Sequence, residues 1–408
     1  MTAVKIIFFF GIFITFYSYI GYGLVLWLWL KIKGKIQKPA LPENDDFTLP
    51  VTLIVAAYNE EEFIAEKIAN TLSLQYPSDK FHIVFITDGS TDNTAGIVSQ
   101  YPNIQLLHSD GRKGKVAAMH RAMSFVTTPI VIFSDANTLL NADSIKNLVR
   151  HYRNPSVGGV AGEKKIMASA KGSLAGAGEG LYWKYESFLK KLDWQFYTVV
   201  GAAGELFSIR TELYEHPGDD TLLDDFVISL RICEKGYRVA YEPEAYAMET
   251  GSASIAEEQK RKIRISAGGF QSMYMLSGLL NIFKHGKLSF QYISHRVLRW
   301  SLCPLFLPLV LLANILIVIY APAPIYSLVL AAQVLFYGLA LLGWILFTRG
   351  IRVSSLYAAY YFVFINYSLY IGFFKYMKGR QSVLWEKSSR GKYIAPAGNP
   401  SEVNTVKQ

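Results

Sequence analysis

VTLIVAAYNEE (51–61), FHIVFITDGSTD (81–92) and PIVIFSDAN (129–137) decide the fold. Each joins a short β-branched and aromatic run to a cluster of turn-forming and acidic residues. Such runs, bounded by turn residues, read as buried strands. Open α/β sheets bind ligands in the crevice beyond the carboxyl ends of their strands. The acids there, Glu60, Glu61, Asp88, Asp92 and Asp135, are available to a divalent metal, a ribose or a uracil. A pocket for a nucleotide-linked phosphate is the leading expectation.

From 51 to about 250 the chain alternates such runs with helical stretches. Asn59 and the glutamates after it suit a helix N-terminus, where acidic groups meet the positive end. Residues 142–153, 179–196 and 221–235 read as helices, and 157–167 and 237–250 as strands. This alternation predicts one α/β domain with a mainly parallel sheet. Residues 39–50 (PALPENDDFTLP) read as a linker in front of it.

The composition is 51% hydrophobic and 18% charged, an apolar excess that predicts a membrane part. Residues 6–30 carry no charge and are long enough to cross hydrocarbon. The run is too long and aromatic for a cleaved signal and reads as a retained anchor. Further candidate spans are 300–321, 324–347 and 354–377, whose Trp and Tyr residues suit the membrane interface. Lys31, Lys33, Lys35 and Lys38 follow the first span and only Lys5 precedes it, which puts the middle domain in the cytoplasm of a bacterial-type inner membrane. One span before the domain and three after it would place the tail outside, yet Lys375, Lys378, Arg380, Lys387 and Arg390 argue for inside. Either one candidate is interfacial or re-entrant, or a span hides in 265–283. The net charge of +9 is explained by basic residues beside lipid head groups, and nothing resembles a nucleic-acid module. Cys233 and Cys303 read as free, packed thiols, without zinc spacing. His108, His120, His151 and His295 form no nucleophilic arrangement. The resulting division is an anchor over 1–35, a catalytic domain over 36–255, interfacial amphipathic helices over 256–298, membrane helices over 299–378 and a basic tail over 379–408.

The motifs AAYNEEE (56–62), TDGSTDNT (87–94), RKGKVAAMHRA (112–122), SDANT (134–138), VGAAGELFSIR (200–210) and LLDDFVISLRI (222–232) stand in an order that resembles the family 2 glycosyltransferases. The similarity is to their membrane-integrated branch, which includes cellulose, hyaluronan, chitin and poly-N-acetylglucosamine synthases. It implies a GT-A fold and inverting transfer from a nucleotide-activated sugar, a UDP-sugar carrying glucose or N-acetylglucosamine being the expected donor.

The resemblance assigns Asp225 as the base that takes the acceptor hydroxyl's proton. Asp224 stands where the family has glutamate and helps to position it; an adjacent like charge raises a carboxylate's pKa, which suits a base. Tyr58, Glu60 and Asp88 correspond to nucleoside-pocket residues, Lys115 to a contact on base or phosphate, and Gly204 and Glu205 to the loop bordering the acceptor. Asp135 and Asn137 correspond to the family Asp-x-Asp. Asn137 removes one charge but keeps a hard oxygen ligand acceptable to Mg²⁺ or Mn²⁺. A departing diphosphate needs such a metal or cationic side chains.

At the family's Gln-x-x-Arg-Trp place, Arg261 replaces the glutamine, Arg264 matches the arginine and Ile265 replaces the tryptophan. Arg264 keeps a cationic fork for the diphosphate. Loss of the indole removes an acceptor-stacking ring. Two modes therefore stand open: processive extension of a β-linked glycan, or addition of one sugar to a lipid-linked acceptor at the bilayer. Four spans form a small channel at most, so a small membrane subunit or an oligomer is expected to complete it if the enzyme is processive. A membrane scaffold or transport component with an inactive domain is the remote alternative, opposed by Asp88, Asp135 and Asp225.

Overall fold

A computed structural model describes residues 1–34, 47–167, 174–252, 254–351, 353–379 and 382–384. Most of the 39–50 linker, Lys35, Lys38, Arg380 and the tail from 385, with Lys387 and Arg390, lie outside the described residues.

Helices α1 (Thr2–Phe16) and α2 (Tyr22–Ile32), joined through a π turn at Tyr17–Gly21, form one continuous apolar rod. The domain that follows is built on an eight-stranded sheet. Strand β1 (Val51–Ala57) is buried along its whole length. It pairs in parallel with β2 (Phe81–Thr87) and, across its other edge, with β4 (Ile130–Asp135); β3 (Gln105–Leu107) adds to β2. Burial on both faces explains the near-continuous apolar runs. The registers Ala57↔Thr87 and Ala56↔Asp135 end the three strands at one level, so the residues after them share one rim.

The other half of the sheet is mixed. Strand β7 (Leu206–Arg210) runs antiparallel between β4 and β6 (Val157–Met167); β6 pairs in parallel with β8 (Arg238–Thr250), and the short β5 (Leu139–Leu140) closes the edge antiparallel to β8. The reversal of β7 has a consequence for function. It sets Leu206 beside Ser134, so the loop entering β7 arrives at the rim where β4 ends. Helices α3 (Glu61–Leu72), α4 (Thr94–Val98), α5 (Lys115–Met123), α6 (Ser144–Val149), α7 (Leu174–Phe196) and α8 (Asp224–Glu234) cover the sheet. Ile64 and Ile68 of α3 join one apolar layer and Val227 and Leu230 of α8 the other. Each such side chain contributes about 1.5–3 kcal/mol when fully buried.

Asn59 is not the cap expected of it. The first residue before α3 is Glu60; Asn59 instead has φ 53° and accepts from the Thr91 N–H at 2.8 Å. An asparagine tolerates that left-handed conformation, and here it ties the loop after β1 to the loop after β2.

Beyond the sheet come α9 (Ile255–Met275), α10 (Ile282–His285), α11 (Lys287–Tyr292), a π turn at Ile293–Val297 and α12 (Leu298–Trp300). Three long apolar helices follow: α13 (Leu302–Tyr320), α14 (Pro324–Thr348) and α15 (Ser354–Met377). With the N-terminal rod they make four helices long and apolar enough to cross a membrane among the described residues; 265–283 adds none. Phe8 packs with Val310 and Ile317, pairing α1 with α13. Helix α15 differs from the rest because it lies along α9. Tyr361 Oη donates to Glu258 Oε1 at 3.1 Å, and farther along Phe373 packs edge-on to Phe270 at 5.1 Å.

Candidate active site

A cavity of about 610 Å³ opens at the carboxyl rim of β1 and β4. Its wall includes Glu60, Lys115, Asp135, Asn137, Gly204, Glu205, Asp224, Asp225, Arg261 and Arg264, so residues far apart along the chain converge there.

Asp135 ends β4 and accepts from Lys115 Nζ at 2.5 Å. Lys115 is the first residue of α5, after Gly114 at φ 100°, a conformation that suits glycine. Burial would lower the Lys115 pKa. The carboxylates of Asp135, Asp224 and Asp225 outweigh it and hold the ammonium above the usual lysine range.

Asp224 and Asp225 open α8, where the helix's positive end favours acids. Burial, reinforced by the Asp224 charge and opposed by Lys115, pushes the Asp225 carboxyl up to about 7. The Phe226 N–H donates to its Oδ1 at 2.8 Å. Asp224 is buried, and its Oδ2 has no hydrogen-bond partner. Gly204 comes between the charged groups: a Cβ there would sit 3.3 Å from both Asp225 Oδ2 and Lys115 Nζ. Its neighbour Glu205 bonds Lys164 Nζ at 2.6 Å, and although burial opposes it, that lysine keeps Glu205 below the usual carboxylate range. Lys164 also pairs with Glu249.

The two arginines differ. Arg261 is engaged by Glu258 at 3.1 Å and lies 3.9 Å from Glu249. Arg264 has a buried Nε with no hydrogen-bond partner at the cavity wall, available to an anion.

Two expected nucleoside-pocket residues lie off the cavity wall. Asp88 is buried at the end of β2, where its Oδ2 accepts from the backbone N–H of Lys113 at 2.9 Å and of Gly114 at 2.6 Å. It shapes the turn that launches Lys115. Tyr58 stacks beneath Arg112, whose guanidinium carbon is 4.0 Å from the ring centroid. Glu60 does line the cavity, and its side chain makes no capping bond to α3.

Residues the sequence reading passed over also build the site. Lys67 is fully buried in α3 and donates to Ser134 Oγ at 2.8 Å and to the Thr138 carbonyl at 2.9 Å, bracing the loop that carries Asp135 and Asn137. Burial pulls it down to about 7, with Asp135 opposing. A lysine one turn from Ile64 and beside Ile68 in an apolar stripe is a signal that sequence does carry. Trp183, Glu186, Lys190, Arg296, Trp300, Lys375, Ser382 and Leu384 also line the wall.

The donor set tests the expected metal. Asp135 and Asn137 offer a carboxylate and an amide oxygen, and the unpartnered Asp224 Oδ2 adds negative potential nearby. Among the described residues no three His, Cys, Asp or Glu side chains form a cage. Mg²⁺-type ions commonly bind through one or two carboxylates together with substrate phosphates. The residues fit such an ion shared with a diphosphate.

Strands ending in acids around a charged cleft, with basic side chains at its wall, suit a ligand that carries a diphosphate. A family model described as Glycosyl transferase family 2 matches residues 52–216. The poly-β-1,6-N-acetyl-D-glucosamine synthase of Staphylococcus aureus is 25% identical over 276 residues, 64% of each chain, so this chain spans about 64% of the length of that relative. The Staphylococcus epidermidis enzyme of the same name is 23% identical over 293 residues, 69% of this chain and 68% of its own. A solved mannosyltransferase of Pyrobaculum calidifontis, in complex with GDP-mannose and Mn²⁺, superposes with a TM-score of 0.68 at 22% identity, covering 92% of this chain and all of that one. The fold is GT-A, and residues 52–216 match the family 2 glycosyltransferases, enzymes that use nucleotide sugars.

Proposed function

We propose that this chain transfers N-acetylglucosamine or glucose from its UDP-sugar to a hydroxyl acceptor with inversion, forming a β-linked glycan at the cytoplasmic face of a bacterial-type inner membrane. The observation that carries this reading is the convergence of Asp135, Lys115, Asp225 and Arg264 on one cavity. Asp225 takes the proton of the acceptor hydroxyl. That oxygen then attacks the anomeric carbon, and the bond to the β-phosphate breaks with its electron pair leaving on UDP. Asp224 keeps Asp225 basic enough for the task. Asp135 and Asn137 would hold Mg²⁺ or Mn²⁺, which would supply positive charge for the diphosphate. Lys115 and Arg264 supply fixed positive charge to the same leaving group. Glu60 borders the nucleoside directly, while Asp88 and Tyr58 act from behind the wall, Asp88 through the loop it fastens and Tyr58 through Arg112. Gly204, Glu205 and Arg261 form the acceptor-side border.

The staphylococcal relatives support polymerisation. A second reading, one sugar added to a lipid-linked acceptor, is favoured by Ile265 at the wall where the resembling synthases carry tryptophan. Purified full-length protein with UDP-sugars and Mn²⁺ separates them: a product ladder supports polymerisation, a single addition supports the alternative. No UDP release from any UDP-sugar overturns both.

Packing supports an arrangement of the membrane helices. Lys375, near the end of α15, reaches the cavity wall, while Tyr361, near the middle of the first half of the same helix, holds Glu258 of α9. Both lie on the domain side. We therefore propose three crossings, by the N-terminal rod, α13 and α14, with α15 lying along the interface. This arrangement returns the basic Lys375 and Lys378 to the cytoplasm, as the positive-inside bias requires.

A further inference from the structure

Part of the cavity wall differs in chemistry from the acids. Trp183, Glu186 and Lys190 of α7 stand at i, i+3 and i+7, one helix face, and all line it. Arg296 and Trp300 line it as well, from the segment entering α13. Glu186 accepts from Arg296 Nη1 at 2.9 Å and pairs with Arg299. The Arg296 guanidinium carbon is 5.8 Å from the centroid of the Trp300 ring.

Two observations point to a ligand. Lys190 is 2% exposed, and its Nζ has no hydrogen-bond partner; it rests 5.5 Å from the Trp183 ring centroid and 6.0 Å from that of Tyr241. An ammonium taken from water without an oxygen to receive its protons is costly, and such groups are rare unless something binds them. The second observation is the place of Trp300. Its indole packs 5.3 Å from Phe226, the residue after Asp225, and covers Gly269, where a Cβ would come within 2.9 Å of Trp300 Cε3. Gly269 lies one helical turn beyond Ile265 on α9. The glycine leaves room for an indole brought in from another helix, next to the place where tryptophan is missing.

We propose, on the strength of the transferase reading above, that these side chains form the acceptor compartment. The acceptor's sugar ring lies on Trp300, an apolar surface with a polar edge, and its N-acyl carbonyl oxygen accepts a hydrogen bond from Lys190. An N-acylated sugar satisfies the buried ammonium. A free-amine sugar, cationic at neutral pH, is repelled by it.

The test uses purified full-length protein, UDP-N-acetylglucosamine and Mn²⁺, with short glucosamine oligosaccharides as acceptors in N-acetylated and free-amine forms. The readout is the ratio of kcat/KM for the two acceptors, which a general loss of activity does not move. The wild type prefers the N-acetylated acceptor about tenfold or more, the size of a charge-assisted hydrogen bond. Lys190→Met reduces that ratio to about twofold or less. Trp300→Ala raises the KM of both acceptors, and Trp300→Phe restores most of it. An unchanged ratio in Lys190→Met overturns the proposal, as does donor hydrolysis that neither acceptor stimulates in the wild type. Failure of the wild type to release UDP from any donor overturns the transferase reading instead.

Discussion

The ammonium of Lys115 sits 2.5 Å from the carboxylate of Asp135, and the same lysine opposes the upward shift of the Asp225 carboxyl. One cation thus serves the group assigned to the metal and the group assigned as base. Lys115→Met should lower kcat/KM by about a hundredfold, the order seen when one preorganised electrostatic donor is lost. It should also move the acidic limb of the pH–rate profile upward, because the charge that favours ionised Asp225 is gone. A limb that stays in place would separate Lys115 from the base.

The profile of the unaltered enzyme is itself informative. Burial and Asp224 raise Asp225 to about 7, and a base works only when deprotonated. Transfer should therefore climb as pH rises through about 7 and level off above it. Asp224→Asn removes a like charge, so its limb should lie at lower pH even as its maximal rate falls. Measuring kcat/KM from pH 5 to 9 for both proteins checks the sign.

Asn137 is the position where the expected metal site lacks a charge. Asn137→Asp should tighten Mn²⁺-dependent UDP binding by about threefold to tenfold, since ligand charge count tunes such affinities. Asp135→Ala should weaken it. Titration calorimetry with UDP at several Mn²⁺ concentrations reads both, and unchanged curves would remove the pair from the metal.

Lys67 gives a stability test. Its pKa falls from 10.5 free to about 7 in the fold, so the folded state resists carrying its charge. The resulting destabilisation is absent above about pH 10.5, grows as pH falls, and is complete below about 7. Lys67→Met should abolish this contribution. The variant's melting temperature should vary less between pH 7 and 9.5 than that of the parent, and an equal pH dependence in the two would contradict the account.

The three-crossing arrangement is tested by single cysteines. A cysteine at Ala321, between α13 and α14, should react with an impermeant maleimide added outside intact cells. One at Gly379 should react only after permeabilisation. The native Cys233 and Cys303 are both buried and give low background. Labelling of the Gly379 site from outside would restore α15 as a crossing.

Much of this was legible in the sequence because it is local. The runs at 51–57, 81–87 and 130–135 needed no long-range information, since continuous burial writes itself as apolar composition. The acids after them followed from strand direction. What sequence hid depended on pairing across distance. Nothing local marks Leu206–Arg210 as antiparallel, yet that reversal brings Glu205 to the rim. Asp88 looked like a direct ligand because its partners, the N–H groups of Lys113 and Gly114, exist only once the loop folds over it. Helix α15 is long and apolar enough to span, as its sequence suggested; what sequence hid is its packing on α9, which involves Glu258 and Tyr361, separated by about a hundred residues.

The central claim is that Asp225 performs base chemistry at a nucleotide-sugar site. The most direct measurement compares UDP binding and sugar transfer in Asp225→Asn. The account predicts UDP affinity within about twofold of the parent, since the lost group touches the acceptor, together with a fall in transfer of at least about a hundredfold. Turnover near the parental rate in that variant would contradict it.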